Sequence, residues 1–84
     1  MSEEKLAVSM DVREKNISRL VDLAVGRASL EAGVSTATRV GDREWIYQAQ
    51  DRLEWYNKEM ESLRQTMSKK DVSEAQRYTN AYVH

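Results

Sequence analysis

Ser35-Thr36-Ala37-Thr38-Arg39-Val40-Gly41-Asp42-Arg43-Glu44-Trp45-Ile46-Tyr47 is the stretch on which the fold turns. Up to Val40 it is short in side chain and rich in β-branched residues. A Gly-Asp pair follows, and then a run ending in Trp45, Ile46 and Tyr47. Two β-type runs joined by Gly-Asp predict a hairpin over residues 35–47, with Gly41 at the first loop position of a type II′ turn. In that register Thr38 faces Trp45 and Arg39 faces Glu44. The second pair is an opposite-charge cross-strand contact worth about a few tenths of a kcal/mol.

On either side of this stretch the periodicity is helical. Asp11 with Glu14 three places on has the spacing of a capping box. Ile17, Leu20, Val21, Ala24, Val25 and Ala28 then recur on one face, which predicts a helix over 11–33. Gly26 lies inside that stripe, where a small residue lets another backbone come close. Gly33 reads as the C′ stop, since glycine takes a positive φ without strain. After the hairpin, Ala49, Leu53, Tyr56, Met60, Leu63 and Met67 follow one another at intervals of three and four, a heptad-like seam that predicts a second helix over 49–67. Gln48 is a mediocre cap for it. Residues 1–10 read as a flexible acidic start. Residues 68–84 lose the periodicity and read as a polar C-terminal tail that orders when it docks, with Tyr78, Tyr82 and Val83 as its apolar anchors.

Composition removes several function classes. The 84 residues include no Cys and one His, so disulfides, thiol chemistry and a His-rich metal site are not expected. The three Gly are isolated and form no phosphate loop. Thirteen basic residues against fourteen acidic ones give a formal charge of −1 and no bulk attraction to nucleic acid. There is no run long enough to span a bilayer and no basic-then-apolar leader, so a soluble cytosolic product is expected. Glu54, Glu59 and Glu61 read as a solvated helix face, and His84 as a solvated end. No catalytic, metal-binding or cofactor-binding residue is expected. Off-seam Trp55 is the best interface anchor within the second helix, with Tyr78, Tyr82 and Val83 in the tail. Arg39, Arg43, Lys69 and Lys70 are the candidate contacts to DNA inside a larger assembly.

The order helix, Gly stop, hairpin, heptad-like helix, aromatic-apolar tail resembles the W-type head-completion (head-to-tail joining) proteins of long-tailed bacteriophages. The similar stretch is GVSTATRVGDREWIYQAQDRLEWYNKEMESL, residues 33–63, together with the end Ala81-Tyr82-Val83-His84. Within it Thr38 to Trp45 looks like the family's hairpin and Leu53 to Leu63 like its second helix. Gln48 stands where that family usually has a Ser or Thr cap. The resemblance implies an α+β fold, two antiparallel helices packed on a single β-hairpin, with flexible termini. It also implies a structural virion protein of the head-tail neck, made in the host cytoplasm. Such a protein binds under the portal after DNA packaging as a ring of twelve copies, retains DNA, and offers a docking surface to the tail or next neck protein. Partners would be the portal protein, a tail or neck protein and neighbouring copies, with packaged DNA close by and no membrane. Two other readings stand beside it. One is a small DNA-binding regulator or antitoxin-like dimer joined through the seam. The other is a coiled-coil adaptor, which requires residues 35–47 to be helix or linker.

Overall fold

A computed structural model describes the backbone of residues 2–83 and the side chains of residues 11–82. Three helices follow one another: α1, Ser2–Val40; α2, Arg43–Gln65; α3, Lys69–Val83. Among the described residues there is no strand, so the expected α+β architecture with a hairpin over 35–47 is corrected to an all-helical one. The expected loose segment 1–10 belongs to α1 in its backbone from Ser2 onward, while its side chains lie outside the described residues.

The chain does reverse at Gly41-Asp42, but between helices. Gly41 takes φ +76°, the left-handed conformation in which glycine ends a helix. Its N–H donates to the Thr38 carbonyl at 3.3 Å, and the N–H of Asp42 donates to the Ala37 carbonyl at 2.9 Å. These are the paired bonds of a Schellman motif. Asp42 then caps the next helix, its Oδ1 accepting from the Trp45 N–H at 3.1 Å. The β-branched residues before the turn do not prevent helix. Thr36 and Thr38 each donate a hydroxyl to the carbonyl four residues back, at 3.2 and 2.8 Å. A lone two-stranded hairpin is marginal in water. Continued helix instead buries Ala37 and carries Gly33 under a Trp ring.

α2 lies antiparallel on α1. Trp45 covers Gly33, Tyr56 covers Gly26, and Glu59 faces Arg19 at 3.7 Å. A Cβ on Gly33 would come within 2.5 Å of the Trp45 ring, and one on Gly26 within 2.8 Å of the Tyr56 hydroxyl. Gly33 is therefore a packing position in mid-helix and not the expected stop; the helix predicted over 11–33 runs on to Val40. The seam residues Tyr56, Met60, Leu63 and Met67 pack into the core with Leu20, Leu23 and Ala24 of α1. Met60, 2% exposed, is its most buried large side chain, and burying one such side chain is worth about 1.5–3 kcal/mol.

The expected polar tail 68–84 is largely α3. Ser68 caps it, its Oγ accepting from the Asp71 N–H at 3.2 Å. Asp71, Ala75 and Thr79 form a buried stripe at four-residue spacing, and the Thr79 hydroxyl donates to the Ala75 carbonyl at 2.9 Å. These small side chains bring α3 close, parallel to α1 and beginning level with Arg13. α2 and α3 each pack on α1 and meet one another only weakly. At about 1.5 Å per residue, the 39 residues of α1 account for the molecule's longest dimension, 58 Å; the others are 24 and 16 Å. α1 is the spine, and one of its flanks stays uncovered beside α3.

Candidate functional site: an acid-rimmed groove between α1 and α3

The uncovered flank of α1 and the near edge of α3 form an open groove. One part of it, with a volume of about 440 Å³, lies between Ile17 and Val21 of α1 and Tyr78 and Tyr82 of α3. It continues along α1 past Val25 to Ser29, with Tyr82 still at its edge. Towards the start of α3 it reaches Arg13. Residues 14, 18, 21, 22, 25 and 29 share this side of α1 because they follow one another at helical spacing. Glu74, Tyr78 and Tyr82 do the same on α3.

The floor is apolar and the rim acidic. Glu14 and Asp22 stand on α1 and Glu74 on α3. The Tyr78 hydroxyl donates to Glu74 Oε1 at 3.4 Å, which orients the ring along the edge. Tyr78 and Tyr82 remain 51% and 75% exposed, a large aromatic area for a small protein. Among the described residues that line the groove Arg13 is the one base, and it is already engaged. Its Nε and Nη2 donate to the two carboxylate oxygens of Asp71 at 3.0 and 2.9 Å. This bidentate geometry is the strongest form of such a pair. The guanidinium's hydrogen bonds hold the Asp71 carboxyl below its usual range, against the opposing effect of burial, with Ser68 and Lys70 assisting. The same hydrogen bonds raise Arg13. The pair fixes where α3 begins along α1, and so sets which side chains of the two helices flank the groove.

The anticipated interface and DNA residues scatter over the molecule. Tyr78 and Tyr82 come together on the groove. Val83 ends α3 in its backbone; its side chain, like all of His84, lies outside the described residues. Trp55 stands apart on the outer side of α2, 46% exposed, edge-on to Tyr56 with ring centroids 5.1 Å apart. Arg39 and Arg43 flank the α1–α2 turn, while Lys69 and Lys70 open α3. Since α3 begins level with Arg13, the two basic pairs lie about 39 Å apart along α1 and form no common patch. In the sequence Glu14 reads as a capping-box partner of Asp11, a helix start that α1 running from Ser2 replaces; Asp22 and Glu74 carry no signal there because exposed acids on helices are ordinary, and only the docking of α3 brings the three together. Ser68-Lys69-Lys70-Asp71, a cap followed by an acid at the third position, was the available signal for α3.

Among the described residues no group of three His, Cys, Asp or Glu is placed to hold a metal ion. No described helix is long and apolar enough to cross a membrane. Comparison with protein-family models, with curated proteins and with solved structures returned no match.

Proposed function

We propose that the chain is a non-catalytic helical adaptor that works by docking a partner on the α1–α3 groove. The observation that carries this reading is the exposure of Tyr78 and Tyr82 side by side along an apolar flank of α1. Aromatic side chains of this kind supply large contact area at low cost in conformational entropy, and they anchor interfaces. The helical course of residues 35–47 meets the condition that the coiled-coil adaptor reading set. A regulator that grips DNA through Arg39, Arg43, Lys69 and Lys70 gains no support from bases divided between two ends of the molecule.

The head-to-tail joining role is a narrower proposal of the same kind. Its hairpin, Thr38 to Trp45, is helix and turn. What supports it is the exposed pair of Tyr residues near the C-terminal end. A photo-crosslinking amino acid placed at Tyr78 or Tyr82 tests both versions, with Ser62 on the exposed side of α2 as the control position. The adaptor reading predicts a discrete covalent adduct from positions 78 and 82 in producing cells and none from 62. The neck version predicts that the adduct contains portal subunit. Equal labelling from all three positions contradicts docking at the groove.

A further inference from the structure

We infer that the partner on this groove is a basic amphipathic helix of another protein, lying along α1. The inference rests on the docking reading and adds the chemistry of the occupant. Shape comes first. The groove is straight where parallel helices bound it and ends on α1 beyond Tyr82; from Arg13 to Ser29 it runs about 24 Å, the length of roughly four helical turns. Ile17 and Val25, part-buried, flank the buried Val21 at four-residue intervals on α1, and Tyr78 and Tyr82 stand four residues apart along the edge. A helix with its own apolar stripe at that spacing interdigitates with such a surface. α2 and α3 already cover two sides of α1, and a helix here would take the third.

Charge decides which helix. Glu14, Asp22 and Glu74 rim the groove, and the base among its described lining residues, Arg13, is held by Asp71 and also feels Glu74. Lys or Arg flanking the partner's apolar stripe would meet all three acids, whereas an acidic helix would be repelled. A second copy of this chain bound face to face fits worse. Two-fold pairing would set each copy's acids against those of its mate.

The test uses the full chain and two synthetic peptides of about 20 residues with the same Leu stripe, one flanked by Lys and the other by Glu. Binding is followed by fluorescence anisotropy at low and at high salt, and the free protein's mass by sedimentation equilibrium. The inference predicts that the Lys peptide binds about tenfold or more tighter than the Glu peptide, and that added salt narrows the difference. Combined Glu14→Lys, Asp22→Lys and Glu74→Lys substitutions should reverse the order. Tyr78→Ala with Tyr82→Ala should weaken binding of the Lys peptide while leaving the native helicity in far-UV circular dichroism, since Tyr82 is exposed and Tyr78 half-exposed. Equal binding of the two peptides, or no binding of either, overturns the inference. So does a dimer of the free protein that the Tyr double variant dissolves, because the occupant is then a second copy. Adducts from Tyr78 in cells without Lys-peptide binding would leave the adaptor reading standing and remove the basic helix; absence of both removes both.

Discussion

Single residues set the course of the chain at two places. Gly41 and Asp42 end one helix and start the next, so each has a separate energetic role. Gly41→Ala forces a Cβ into the left-handed region, at a cost of about 1–2 kcal/mol. Asp42→Ala removes the oxygen that accepts from the Trp45 N–H, at a cost of about 1 kcal/mol. Both are read as a lowered midpoint in urea unfolding with helicity otherwise retained. The second place is the Arg13–Asp71 pair. Asp71 has a lower pKa in the folded than in the unfolded chain, so its contribution is complete above the ordinary carboxylate range. It is lost as the pH falls through the depressed value. The melting temperature of the native chain should therefore exceed that of Asp71→Asn at neutral pH, and the gap should close on acidification. A gap independent of pH would mean that the carboxylate charge is not what holds α3.

At the scale of helices, α3 depends on a stripe with little hydrophobic character. Ala75 is wholly buried where α3 crosses α1. Ala75→Leu overfills that contact, and a loss of about 1–3 kcal/mol is expected. α3 should then exchange its amide hydrogens faster than the middle of α2 does. Met60→Ala opens a cavity in the shared core and should cost about 2–5 kcal/mol. The same stripe explains why α3 was illegible in the sequence: Asp71, Ala75 and Thr79 do not register as an apolar face, so residues 68–84 read as a tail. The seam of α2 was legible because Tyr56, Met60 and Leu63 are large. The residues around Gly41-Asp42 suited either a type II′ hairpin or a helix stop with a following cap. What separates them is tertiary: Gly33 and Ala37 pack against α2 only if α1 continues past residue 33. Leu23 is buried although it lies off the stripe read for the first helix, because α1 receives α2 on one side and α3 on another.

For the whole molecule, the long α1 carries two shorter helices and keeps a third side open, and that open side is where the exposed Tyr residues and acids converge. Tyr78 and Tyr82 were recognisable as anchors from the sequence. The groove was not, because it exists only once the Arg13–Asp71 pair has set α3 along α1. Arg13→Met should therefore loosen α3 on α1, measured as faster amide exchange at Tyr78 and Tyr82, a readout separate from binding of the Lys-flanked peptide. Docking on the α1–α3 groove is tested by a heteronuclear NMR titration of the full ¹⁵N-labelled chain with that peptide. Shift changes should concentrate at Ile17, Val21, Val25, Tyr78 and Tyr82, with the amides around Tyr47 and Trp55 unmoved. Changes centred on Trp55 and Tyr47 instead, with the α1–α3 flank silent, would contradict it.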